Sequence, residues 1–129
     1  MVDMTISQPP TAEVNVAVKK FNQDGKTYLH FLFRNKFDLE SAKEATTLWN
    51  ECCQNQPNQK FIHIWDCQQM TGFDKAAKDL WMEYLKKYEG QTEKIQLVSD
   101  NIIIRGAARI MSRFSNHSIE VYKSLNEIL

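Results

Sequence analysis

Seven residues, KFIHIWD at 60–66, carry apolar side chains at Phe61, Ile62, Ile64 and Trp65 without the alternation of a one-sided strand. A run this short and continuous suits a strand covered on both faces, which places it at the centre of a sheet. The pattern then changes period. DKAAKDLWMEYLKKYEG (74–90) sets Ala77, Leu80, Trp81, Tyr84, Leu85 and Tyr88 along one helical face. Asp74 stands at its N-cap, Lys86 and Lys87 suit its C-terminal dipole, and Gly90 can end it. A covered strand feeding an amphipathic helix is the repeating unit of α/β sheets.

The remaining elements extend that unit. EVNVAVKKF (13–21) alternates Val14, Val16 and Val18 with polar neighbours. Asp24-Gly25 is a hairpin turn, and TYLHFLFR (27–34) returns with Leu29, Phe31 and Phe33 on one face. DLESAKEATTLWNECCQ (38–54) is a helix capped by Asp38, its apolar stripe running through Leu39, Ala42, Ala45, Trp49 and Cys52 or Cys53. After NQPNQ and the central strand comes a nine-residue loop, counted from Asp66 to Asp74 and carrying both aspartates, that leads into the helix. EKIQLVSD (93–100) is a strand. NIIIRGAARIMSRFS (101–115) is a helix expected to face inward with Ile103, Ala107, Ile110, Met111 and Phe114. SIEVYKS (118–124) is the last strand, and LNEIL begins a short final helix. The expected fold class is α/β, a single domain with a mixed sheet in the order β-β-α-β-α-β-α-β(-α). Right-handed crossovers make the later strands parallel and the opening hairpin adds an antiparallel pair. Residues 1–12 are expected to form a flexible tail, with Pro9-Pro10 extended, ahead of a domain at 13–129.

Sixteen Lys and Arg balance sixteen Asp and Glu. Without a net field, nucleic acid is not an expected partner, since it would need a local basic patch. No apolar run reaches the roughly 20 residues that span a bilayer, and the N-terminus lacks the apolar core of a secretory signal. The three cysteines, Cys52, Cys53 and Cys67, show no metal-ligand spacing and read as reduced thiols of a cytoplasmic protein.

Chemistry is sought where α/β sheets place it, outside the carboxyl ends of the parallel strands. Asp66 and Asp100 are expected at such ends and Asp74 at the next helix start. Three carboxylates on one rim suit Mg²⁺, or suit Asp66 as a phosphoacceptor in the manner of a receiver domain. A receiver, however, needs an acidic pair after its first strand, where this chain has the Asp24-Gly25 hairpin. Capping and loop closure account for Asp74 and Asp100 without a metal. Gly72 either presents backbone N–H groups to an anion or occupies a turn with positive φ. His30 and His63 fall within strands, and Cys67 follows a strand end. Arg105, Arg109 and Arg113 recur every four residues along one helix, as a solvated stripe or a contact for an acidic partner or a lipid headgroup. Trp49, Trp65 and Trp81 read as core, with a pocket between these rings and Tyr84 as the alternative.

The element order resembles the STAS fold of sulfate transporters and anti-sigma factor antagonists. In that family the third strand ends in Asp, and an Asp-Ser-Ser/Thr-Gly motif opens the second helix. DCQQMTGFDKAAK matches with Asp66 as the strand-end acid and Asp74 as the motif Asp, without a gap. The motif serines fall on Lys75 and Ala76 and its glycine on Ala77, so the phosphorylatable hydroxyl is absent; Thr71 is the nearest hydroxyl on the preceding loop. MTGFDKAAKDLW is closer to the STAS-like branch grouped with the lipid-binding Sec14 (CRAL-TRIO) domains. The resemblance, topological over roughly 13–129, implies a small cytoplasmic module that binds a protein partner or a small ligand and is not an enzyme, with no cofactor and no catalytic residue.

The expected function is therefore a non-catalytic regulatory or binding module. Its contacts lie on loop 67–74 and the N-terminal half of helix 74–88, at Asp66, Thr71, Gly72, Asp74, Lys75 and Ala76. Carriage of an apolar or amphiphilic ligand between the second and third helices is the alternative, and an acid-rim Mg²⁺ phosphoacceptor or hydrolase the third choice. The edge strand and the aromatic-rich helices are compatible with a homodimer.

Overall fold

A computed structural model describes residues 4–5, 15–113 and 115–128. Six strands form one sheet in chain order, β1 to β6. They are β1 (Met4–Thr5), β2 (Val16–Gln23), β3 (Lys26–Phe37), β4 (Phe61–Phe73), β5 (Thr92–Val98) and β6 (Ile119–Tyr122). β1, β2 and β3 are joined antiparallel, while β3 to β6 are parallel. The helices α1 (Leu39–Asn55), α2 (Lys75–Lys87) and α3 (Ile102–Arg113) are the three crossovers. This is the expected mixed α/β architecture. Within the segment expected as a tail, Met4 and Thr5 pair with Lys20 and Lys19; the rest of 1–12 lies outside the described residues. The final helix is a single 3₁₀ turn, Leu125–Glu127.

Asp24 and Gly25 both take positive φ, 52° and 77°, the primed turn that matches strand twist and keeps the β2–β3 register. All crossovers step across the sheet in one direction, so right-handedness lays the three helices on one face. The core fills that layer. Val16, Val18, Leu29, Phe31, Phe33, Phe61, Trp65, Ile95 and Leu97 from the strands meet Ala42, Ala45, Trp49, Ala77, Trp81, Leu85, Ile104 and Ala108 from the helices. β4 is also buried on its other face, at Ile62, Ile64 and Asp66, as the unbroken apolar run predicts. Both Cys52 and Cys53 are buried, whereas Leu39, expected in the same stripe, is exposed.

Two expectations are corrected. β4 does not end at Asp66. It continues to Phe73, and residues 67–73, expected as loop, pair with the extended end of β3. The pairs are Arg34 with Gln69, Asn35 with Met70, Lys36 with Gly72 and Phe37 with Phe73. Register shifts after Leu32 and after Asn35, the latter at φ 60°, curl this two-stranded ribbon past the rest of the sheet. α3 is also rotated by one residue from the expected face. Ile104, Ala108 and Met111 are buried, while Ile103 and Ile110 are exposed; Phe114 lies outside the described residues. Among the described residues no helix is long and apolar enough to cross a membrane.

Candidate functional site

The ribbon decides where the predicted site residues lie. At about 3.3 Å per residue, the continuing strand can carry Asp74 up to roughly 26 Å beyond Asp66. Asp66 therefore stays inside the sheet, 2% exposed, on the face away from the helices. His30 Nε2 donates to its Oδ2 at 3.1 Å, and the Gln68 side-chain and backbone N–H groups donate to Oδ1 at 3.0 and 3.3 Å. Burial raises the Asp66 carboxyl, but these hydrogen bonds outweigh it and leave the pKa below the ordinary carboxylate value. Asp66 is thus an internal acceptor, and the expected acid rim does not form. Among the described residues no three His, Cys, Asp or Glu side chains are grouped as metal ligands require.

The other predicted residues are brought together. Thr71 is exposed at the ribbon end, Gly72 is half-buried beside Lys36, and Asp74 precedes the first turn of α2 with exposed Lys75 and Ala76. The Asp74 N–H donates to the Phe37 carbonyl at 3.0 Å, which fastens the helix start to the end of β3. Asp74 holds the N-cap position, but its side chain makes no cap hydrogen bond. It pairs instead with Lys36 Nζ at 2.9 Å, and that hydrogen bond raises the lysine pKa. Lys75 is engaged by Asp79 one turn on, at 2.7 Å. Gly72 does not have positive φ, and a Cβ there would meet nothing within 4 Å, so no turn or close approach requires glycine. Cys67 is buried, and burial pushes its thiol far up, away from the reactive thiolate form.

Behind this ridge lies an apolar crevice enclosing about 50 Å³ between α2, α3 and the ribbon. Phe37, Met70, Phe73, Trp81 and Met111 line it, and Lys78 is its one charged residue. The crevice lies between the second and third helices, where the alternative expectation put an apolar ligand, whereas the Lys36 contact depends on the β3–β4 extension and was not foreseen.

No family model matches this sequence, and no curated protein matches it either. Solved structures do match in shape. An uncharacterised DUF3478-family protein with a SpoIIAA-like fold, from Shewanella loihica PV-4, superimposes with TM-score 0.72 over 93% of this chain and 95% of that one, at 12% identity. The chain has a SpoIIAA-like fold. A putative anti-sigma factor antagonist from Thermotoga maritima gives TM-score 0.59 and 13% identity, over 84% of this chain and 87% of that chain. The unphosphorylated anti-sigma factor antagonist SpoIIAA gives 0.53 and 12%, over 86% and 92%. At these identities the likeness is one of fold, and it agrees with the STAS-like topology expected from the element order.

Proposed function

We propose that this chain is a non-catalytic regulatory module of the STAS-like kind, cytoplasmic, which binds a protein partner through its ridge at 67–76. One observation carries this reading: the β3–β4 ribbon runs past the sheet to the start of α2, where Thr71, Lys75 and Ala76 are exposed near the Lys36–Asp74 ion pair. The described neighbours that are anti-sigma factor antagonists support a protein as the partner. With Lys75 and Ala76 at the serine positions, binding here is not controlled by phosphorylation of those residues. The test is a photo-reactive residue at position 76, compared with one at exposed Asn55 at the far end of α1. Cross-linking to a discrete partner from position 76 only, lost with Thr71→Ala/Asp74→Ala, is the expected result. A partner held equally well by that double variant would reject the ridge.

Carriage of an apolar ligand is favoured by the apolar crevice beside Trp81 and Met111. Its enclosed volume is well short of the roughly 300 Å³ of a small-molecule site, so α3 would have to swing outward to admit one. Native mass spectrometry of detergent-free protein separates the readings, because a mass equal to the bare chain excludes a retained ligand.

A further inference from the structure

α3 carries an outer surface that the fold does not use. Ile102, Ile103 and Ile110 are 80%, 70% and 51% exposed, although most large apolar side chains of the described chain are buried or half-buried. Ile103 and Ile110 are seven residues apart and lie one above the other, with Ala107 between them on the lip of the apolar crevice. Arg109 and Arg113, both exposed, flank the isoleucines on one side, and Lys78 of α2 lines the crevice on the other. Neither arginine has an ion-pair partner among the described residues. Arg105, by contrast, is turned back to donate to the Ser99 carbonyl at 3.0 Å. The helix contains no acidic residue in a chain whose charges otherwise balance, and Asp100, two residues before it, is the nearest carboxylate in sequence. Asp79 and Glu83 of α2, with Glu89 just beyond its end, line a separate depression with Ser115, Asn116 and His117.

We propose that the outer face of α3 docks this protein on an anionic lipid surface, with Ile102, Ile103 and Ile110 inserted at the level of the acyl chains and Arg109, Arg113 and Lys78 at the phosphates. An apolar strip bordered by cations is what an interfacial helix needs, because long basic side chains reach the headgroups while the strip between them leaves water. The composition fits lipid better than protein. A protein interface of standard size carries about one hydrogen bond per 100–200 Å² and favours aromatic anchors. This face offers isoleucine, alanine, glycine and guanidinium groups only, since the Ser112 hydroxyl is turned inward to accept from the Ile119 N–H at 2.9 Å. The surface adjoins the ridge at 67–76 across the apolar crevice but does not depend on the function proposed for it.

The experiment is flotation of the whole chain with vesicles of phosphatidylcholine alone or mixed with phosphatidylglycerol. Wild-type protein is expected to float with the mixed vesicles and not with the neutral ones, and to be released by salt. Ile103→Ser/Ile110→Ser and Arg109→Glu/Arg113→Glu alter exposed positions, so circular dichroism melts should match wild type while the bound fraction drops about tenfold or more. Failure of the wild type to float, or flotation undiminished by the isoleucine pair, overturns the proposal. A dimer in sedimentation velocity that Ile103→Ser converts to monomer also overturns it, because the face would then belong to a second copy.

Discussion

His63 sits on the helix-side face of β4 with no exposed surface, among Phe31, Trp49 and Trp65. Trp65 Nε1 donates to its Nδ1 at 3.1 Å, so Nε2 bears the proton of the neutral ring and, among the described residues, meets no acceptor. Burial, with a smaller contribution from His117, lowers its pKa from 6.5 to about 3. The sign follows from proton binding. Below pH 6.5 the unfolded chain takes up a proton that the folded chain refuses, so stability present above 6.5 is lost as pH falls toward 3. Between pH 6.5 and 4.5 the loss is of order 2 kcal/mol. Urea titrations across that range should show the decline in wild type and a flatter profile in His63→Leu, even if the variant starts lower because Trp65 has lost its acceptor. An equal slope in both proteins would remove His63 as the cause. Asp66 acts in a lower window: its depressed carboxyl stabilises the fold above the unfolded value of 3.8 and ceases to do so as pH falls below it.

At the scale of the element, α1 and α2 both begin on an aspartate, yet the two caps differ. Asp38 accepts the Ser41 N–H at 2.9 Å and closes the first turn of α1. Asp74 turns to Lys36 and leaves the first turn of α2 without a side-chain acceptor. Asp38→Ala should therefore cost about 1 kcal/mol in chemical denaturation. Asp74→Ala should cost clearly less, because an exposed ion pair is screened by solvent. Equal losses would mean that the Asp74 side chain caps in solution. α3 shows why an amphipathic pattern can mislead. Its Ile-Ile-Ile and Ala-Ala runs make two adjacent stripes almost equally apolar, and periodicity cannot choose between them. The choice falls to the Asn101 side chain, which accepts the N–H groups of Ile103 and Ile104, and to the Arg105–Ser99 hydrogen bond, which together orient the first turn.

Across the whole molecule, α1 and α2 are held together and to one face of the sheet largely through Trp81. Its ring lies within 4.9–5.6 Å of the rings of Phe31, Phe33, Phe37, Trp49 and Trp65, mostly edge to face. These neighbours come from α1, β3 and β4, so the indole ties the ribbon and the first helix to the second. Trp81→Ala should cost about 3–5 kcal/mol, since elements anchored on so many sides cannot close the cavity. A domain of this size has about 5–15 kcal/mol in total, so the variant should unfold at a much lower urea midpoint. A midpoint shift no larger than that of Asp38→Ala would mean that the aromatic layer repacks around the gap. The same layer fastens the base of the ridge, because Phe37 and Phe33 leave the sheet with the ribbon and pack on Trp81.

Periodicity, turn chemistry and caps determined most of this fold from the sequence: the Asp24-Gly25 hairpin, the central position of 60–66, the helices at 38–54 and 74–90, and the mixed character of the sheet. Each rests on contacts close in sequence or on a pattern that one element carries by itself. The start of the second helix at Asp74 was legible for the same reason, although its side chain pairs with Lys36 rather than capping. Tertiary structure alone decided that 67–73 is strand, because DCQQMTGF has neither alternation nor β-branched density and is ordered by pairing with β3, more than thirty residues earlier. That pairing separates Asp66 from Asp74. It turns an expected acid rim into a buried hydrogen-bond acceptor and a distant exposed ridge.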